Sequence, residues 1–309
     1  MSSFFPPPGT GITIVEVGPR DGLQNEPEKL TVQTRVKFVR SLAAAGLKRI
    51  EAASFVHPKW IPSMAGAAEV MAGLRDLQGI QLSALTPNLR GLEDGLKAGL
   101  KEAAVFTSAS ETHCQKNINC SIEESFERFL PVAERCREAG VRMRGYVSVV
   151  AGCPYEGDVE PEQVARLSKR LIDEVGCFEV SLGDTVGVGT PSTIWSLLHA
   201  HSEAGVDRSR LALHLHDTRG TALANVLVGL SAGIRTFDSS AGGLGGCPYA
   251  PGATGNLATE DLVYMLEGMG LETGVNLAQL TEATAGICQL LGRRPPSRTW
   301  RALRPLERT

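Results

Sequence analysis

Eight times along this chain a short apolar run ends at a polar turn and gives way to a stretch with helical spacing of its apolar residues. The runs lie at 12–17, 49–54, 81–85, 102–106, 141–150, 178–182, 211–216 and 234–238. Helical patterns follow at 31–45, 63–77, 88–98, 121–140, 160–175, 191–204 and 222–232, with two more expected at 259–268 and 277–291. Local signals agree: Thr31 stands at an N-cap position, Ser121 and Glu124 form a capping box, and Pro191 opens its helix. Strand and helix alternating with no break in composition predict an α/β protein of one domain, 1–309. Its core is a closed parallel (β/α)8 barrel over about 12–270, followed by a short C-terminal helical extension. An open doubly wound sheet is the alternative, but no Gly-x-Gly-x-x-Gly follows the first run and no Walker motif occurs. From residue 295 the chain is basic and proline-marked, and it reads as a loosely ordered tail.

A barrel of this kind gathers the C-terminal ends of its strands at one rim, so ionisable residues there are candidates for chemistry. In the seventh run, Leu211-Ala212-Leu213-His214-Leu215-His216, the two histidines share one face of a strand. Asp21 follows the first run, Glu51 sits inside the second, Asp184 ends the sixth, and Asn256 comes after the eighth. Glu51 lies among small and apolar neighbours and would be costly to bury unless a charge meets it. Two imidazoles, a carboxylate and an amide oxygen form a mixed nitrogen and oxygen set that suits a labile divalent cation, Mg²⁺ or Mn²⁺, better than a closed zinc site. His57 and His113 fall in rim loops and read as bystanders, and His199 and His201 read as surface residues of a helix. Cys247 lies in Gly242-Gly243-Leu244-Gly245-Gly246-Cys247-Pro248, where dense glycine allows a loop to close over a substrate and a thiol to deliver a proton.

A net charge of −3 offers no electrostatic case for nucleic acid or an anionic membrane. No apolar run approaches the roughly 20 residues a membrane span requires. The seven cysteines contain no Cys-x-x-Cys pair and suit a reducing compartment, so a soluble cytoplasmic protein is expected.

Four stretches are similar to the 3-hydroxy-3-methylglutaryl-CoA lyases. They are Val15-Glu16-Val17-Gly18-Pro19-Arg20-Asp21-Gly22-Leu23-Gln24-Asn25-Glu26, Ser54-Phe55-Val56 with Pro58-Lys59-Trp60, Asn117-Ile118-Asn119-Cys120-Ser121-Ile122-Glu123-Glu124-Ser125, and 239–249 with its glycines. The resemblance spans about 13–292. It implies a metal-dependent TIM barrel, acting as a homodimer, that cleaves 3-hydroxy-3-methylglutaryl-CoA to acetyl-CoA and acetoacetate, a reaction of leucine degradation and ketone-body formation. It also implies that Asp21, His214, His216 and Asn256 hold the cation, with Arg20, Glu51, Asp184 and Cys247 in the catalytic shell. Arg20 would hold the thioester oxygen, and either Asp21 or His214 would take the hydroxyl proton. Gln24, Ser54, Lys116, Asn117 and Ser181 are candidates for contacting the acyl-CoA. Arg219, where an aromatic residue is expected, together with His57 and His113-Cys114, leaves open a related branched 3-hydroxyacyl-CoA as substrate. Another aldol or condensing reaction of the same superfamily and a catalytically silent binding subunit are the wider alternatives.

Overall fold

The computed structural model describes residues 5–26, 30–246 and 255–304. Eight strands, β1 (Thr13–Glu16), β2 (Arg49–Ser54), β3 (Gln81–Leu85), β4 (Glu102–Ser108), β5 (Arg142–Ser148), β6 (Glu179–Asp184), β7 (Leu211–Leu215) and β8 (Thr236–Ser239), pair in parallel and in chain order. Closure comes from β8 pairing with β1, where Ile14 faces Phe237 and Glu16 faces Ser239. The expected TIM barrel is therefore the observed fold. The β2–β3 register shifts between Glu51 and Ala53, a bulge beside the one carboxylate in that strand.

Around the barrel run α1 (Val32–Ala44), α2 (Ala67–Ala72), α3 (Leu89–Lys97), α4 (Glu111–Ile118), α5 (Ile122–Ala139), α6 (Pro161–Asp173), α7 (Pro191–Glu203), α8 (Ala222–Ser231), α9 (Thr259–Gly268), α10 (Leu277–Leu290) and α11 (Arg298–Leu303). Their inward faces and the outward faces of the strands form one apolar core, including Val39, Leu42, Ile50, Val70, Leu213, Phe237 and Ile287. Inside the barrel the apolar cluster is small, formed by Leu85, Ala104 and Tyr146. Much of the remaining interior is ionic: Arg49 and Arg144 both reach Glu179, at 2.9 and 2.7 Å, and Arg144 also reaches Asp238 at 2.7 Å. Charges placed so deep persist because each meets an opposite charge, and removing one partner of such a pair costs about 3–5 kcal/mol. Among the described residues no helix is long and apolar enough to cross a membrane.

Four local expectations are corrected. The 63–77 helix is broken into a 3₁₀ turn, Pro62–Met64, and α2, because Gly66 takes a left-handed φ of 79° between them. The polar segment after β4 is not all loop: Ser110 caps α4, Asn119 ends it at φ 53°, and His113 is buried inside it. The tail is ordered through α11, where Ser297 caps the helix and the buried Trp300 indole donates to the Thr281 carbonyl at 2.9 Å. Of the two α7 histidines, only His199 is exposed. Residues two apart on a helix point about 200° from each other, so one of the pair had to face inward. His201 does, between the Leu197 carbonyl at 2.7 Å and Ser168 Oγ at 2.9 Å, and burial holds its pKa down at about 4.

Among the buried carboxyls that meet no ion-pair partner in the described residues are Glu16 at the end of β1 and Glu260 in α9. Burial pushes both up to about 7, with hydrogen bonds to Thr259, Ala241 and Gly18 limiting the rise at Glu16, and bonds to Thr284 and Gly242 doing so at Glu260. A carboxyl with a raised folded pKa binds its proton more tightly folded than unfolded. Its stabilising effect is complete below the unfolded value near 4.5 and is lost as pH rises through about 7. Glu260→Gln should therefore match the parent at pH 5 and exceed it at pH 8 by about 2–3 kcal/mol in urea denaturation. A parallel offset at both pH values would show that Glu260 does not titrate in this range.

Candidate active site and cation centre

The first strand delivers its chemistry through a single π-turn, Gly18–Gly22, in which the Val17 carbonyl accepts the amides of Arg20, Asp21 and Gly22 at 3.1, 2.7 and 3.2 Å. Such one-turn π segments set side-chain direction where an α-turn would not. Gly22 has to be glycine here, since a Cβ would stand 2.8 Å from Ser240 Oγ and 3.0 Å from Leu244 Cβ. The turn aims two neighbouring side chains into the barrel mouth.

Arg20 is clamped by Glu51. Its Nε donates to Oε1 at 2.7 Å and Nη2 to Oε2 at 3.1 Å, while Nη1 donates to Asp21 Oδ1 at 2.8 Å. The described residues thus take three of the guanidinium's five N–H groups and leave two for a ligand. The charge that Glu51 needed is this one, and burial, which would lower the Arg20 pKa, is outweighed by Glu51 and Asp21 so that the pKa is raised. Behind Glu51 stands Tyr146, whose hydroxyl donates to Oε2 at 2.7 Å and accepts from Arg144 Nη1 at 2.6 Å. Arg144 grips Asp238 with two nitrogens, at 3.1 and 2.7 Å, and Ser181 Oγ donates to the same carboxylate at 2.8 Å. Asp238 Oδ2 lies 3.4 Å from His214 Nδ1, within ion-pair range but off the line of a hydrogen bond. A continuous chain of charge therefore runs under the site from Arg20 to His214.

The cation centre can be tested on its own donors. Asp21, His214 and His216 each offer a ligand atom, and these atoms lie within 4.8 Å of one another. The Nε2 atoms of His214 and His216 face each other at 3.3 Å. An octahedral ion with bonds of about 2.1 Å sets neighbouring ligands about 3 Å apart, close to that spacing. Burial drives His216 down to about 3, and the His214 charge pushes the same way, so its imidazole is neutral with a free lone pair. Burial pushes Asp21 up, but Arg20, His214, His216 and Asn256 outweigh it and hold the carboxylate at about 2. Asn256 donates Nδ2 to Asp21 Oδ2 at 2.8 Å and to the Leu244 carbonyl at 3.1 Å, so the atom that amide could offer a cation is its oxygen. The donor set fits Mg²⁺ or Mn²⁺.

Arg20, Asp21, Glu51, His214, His216 and Asn256 thus come together from four separate segments. Ser181 joins them only through Asp238, with its hydroxyl turned into the barrel. Asp184 accepts the Val188 and Gly189 amides at 3.0 and 2.9 Å and so shapes the loop after β6, to which Arg219 also donates at the Val186 and Gly187 carbonyls. Ser54 is buried at the end of β2, and Gln24 is half-buried with its Oε1 unpaired among the described residues. Lys116 and Asn117 lie on the exposed side of α4, Lys116 packing over the Tyr155 ring at 4.5 Å. Cys247 lies outside the described residues. Sequence reasoning missed Arg144, Tyr146 and Asp238. The signal was present, since each is a polar residue within an apolar strand pattern, as Glu51 is.

Comparison with known proteins agrees with this arrangement. The HMGL-like family model matches residues 11–287. The 3-hydroxy-3-isohexenylglutaryl-CoA/hydroxy-methylglutaryl-CoA lyase of Pseudomonas aeruginosa is 54% identical over 292 residues, covering 94% of this chain and 97% of that one. The mitochondrial hydroxymethylglutaryl-CoA lyase of Bos taurus is 53% identical over 291 residues, covering 94% of this chain and 89% of that one. A crystal structure of hydroxymethylglutaryl-CoA lyase from Pseudomonas aeruginosa superposes with a TM-score of 0.92 at 53% identity, covering 96% and 98% of the two chains. With a family match over most of its length and relatives identical at more than half of the aligned positions, this chain belongs to the HMGL-like family.

Proposed function

We propose that this protein cleaves 3-hydroxy-3-methylglutaryl-CoA to acetyl-CoA and acetoacetate. The observation that carries the reading is the meeting, at one barrel mouth, of a clamped arginine with two free N–H groups and the Asp21, His214 and His216 cluster. In the reaction the C3 hydroxyl gives up its proton and becomes the ketone of acetoacetate. The C2–C3 electron pair passes to C2 as the thioester enolate, which a proton then converts to acetyl-CoA. Mg²⁺ or Mn²⁺, held by Asp21, His214, His216 and the Asn256 oxygen, supplies Lewis acidity to the hydroxyl when bound. Arg20 offers its two remaining N–H groups to the thioester oxygen as negative charge grows there, and Glu51, backed by Tyr146, keeps the fork from swinging away. The acceptor of the hydroxyl proton lies on the Asp21–His214 edge, where burial lowers the His214 pKa but Asp238 beside Nδ1 and Asp21 outweigh it and make the imidazole more basic. Cys247 returns the proton to C2. Asp184 contributes by shaping the loop after β6 and Ser181 through its hydrogen bond to Asp238, while Gln24, Ser54, Lys116 and Asn117 contact the acyl-CoA.

Purified protein incubated with Mn²⁺ and 3-hydroxy-3-methylglutaryl-CoA should release acetoacetate and acetyl-CoA in equal amounts. No release with either Mg²⁺ or Mn²⁺ would sink the reading. Cys247→Ala should bind Mn²⁺ like the parent and lose about 10²-fold in kcat. Near-normal turnover would assign the proton to another group. A longer branched chain is the second reading, favoured by the name of the Pseudomonas aeruginosa relative, which covers both an isohexenyl and a methyl substrate. Comparing kcat/KM for the two thioesters decides between them. The same proposal takes 1–309 as one catalytic domain of a cytoplasmic homodimer, a state that sedimentation measures directly.

A further inference from the structure

No cation pairs with Glu16 or Glu260 among the described residues, yet both carboxyls are occupied. Glu16 Oε1 accepts the Gly18 amide at 2.8 Å and the Ala241 amide at 2.9 Å, while its Oε2 accepts the Thr259 hydroxyl at 2.6 Å. Glu260 Oε2 accepts the next amide, that of Gly242, at 2.8 Å, and its Oε1 accepts the Thr284 hydroxyl. One carboxyl therefore ties together the π-turn that carries Arg20 and Asp21 and the turn after β8, and the second grips the adjoining amide of that turn. Gly242 and Gly243 take left-handed φ values of 68° and 73°, and a Cβ on Gly242 would meet Thr284 Cγ2 at 2.7 Å and Pro295 Cβ at 3.0 Å. Downstream, the Leu244 carbonyl accepts Asn256 Nδ2 at 3.1 Å, and a Cβ at Gly245 would stand 2.8 Å from that same nitrogen.

We propose that Glu16 and Glu260 are positioning residues for the cation centre. By holding consecutive amides of the turn after β8, they set the Leu244 carbonyl that aims the Asn256 amide at Asp21. The inference rests on the cation reading of Asp21, His214, His216 and Asn256. A backbone hydrogen bond needs only an acceptor oxygen, so glutamine should substitute for either residue: its carbonyl still accepts the amide, and its NH₂ can donate to the threonine oxygen once that hydroxyl turns. Methionine keeps the volume and leaves the amide unpaired.

The test is Mn²⁺ affinity, read from the electron paramagnetic resonance signal of free Mn²⁺, for the parent, Glu260→Gln, Glu260→Met, Glu16→Gln, Glu16→Met and Asp21→Asn. Each Met variant should bind about tenfold more weakly or worse, and each Gln variant should stay within about threefold of the parent. Met variants that are folded and bind like the parent would overturn the positioning role alone. Equal losses in Gln and Met would also overturn it, in favour of a need for charge. Failure of the parent to bind, or binding unchanged in Asp21→Asn, would instead overturn the cation reading. Should the Met proteins not fold, hydrogen exchange in the Gln proteins decides: the Ala241 and Gly242 amides must stay protected, and fast exchange overturns the grip.

Discussion

Arg20→Met should lower kcat by about 10³–10⁴-fold while the barrel stays folded. Removing one preorganised donor from a developing oxyanion costs about 10²–10³ in rate. Arg20 supplies two N–H groups and a full charge, held at 8% exposure where water cannot replace them. The substitution also strands the fully buried Glu51, which keeps only the Tyr146 hydroxyl among its side-chain donors in the described residues. Stability should therefore fall by about 3–5 kcal/mol, the usual effect of orphaning a buried partner. Arg20→Lys separates the two effects. Its point charge can still neutralise Glu51 but cannot donate along both of that carboxylate's oxygens and reach a substrate as well, so the fold should recover more than the rate does. A methionine variant with kcat within tenfold of the parent would remove Arg20 from the chemistry.

His216→Ala should raise the Mn²⁺ concentration for half-maximal activity by about 10²-fold or more, and saturating Mn²⁺ should restore part of kcat. Losing a residue that merely supports a metal ligand already costs 10–100-fold in affinity. His216 is the imidazole that burial keeps neutral, with its pKa near 3, so its lone pair is available across the working pH range. Its Nε2 faces the His214 Nε2 at 3.3 Å, a spacing that one ion between the two would satisfy. A titration curve superimposable on the parent's would strike His216 from the ligand set.

The strands were readable because their signal is local. A run such as Leu211-Ala212-Leu213-His214-Leu215 carries its apolar pattern and its boundaries within a few residues, and eight such runs separated by helices leave few topologies. The two histidines were equally plain, since a spacing of two on a strand fixes a shared face. Helices broken by backbone geometry were less legible. Gly66 cuts the helix before α2 by adopting a left-handed φ, which glycine permits but composition does not demand. His201 was misplaced because helical pattern alone does not say which face α6 covers, and here Ser168 of α6 meets the imidazole.

By itself the sequence settled the barrel, the rim on which polar residues collect, and the candidate donors for a cation, because each follows from periodicity and from the rule that parallel strands end together. The tertiary structure decided the partnerships. Only closure of β8 on β1 brings Glu16 to the amides of Ala241 and Gly18. Only the barrel interior lets Arg144 on β5 join Tyr146 and Glu51 to Asp238 on β8. Charge pairing is a matter of distance in space, and residues some 30 to 240 positions apart reach 3 Å only after the chain has closed on itself.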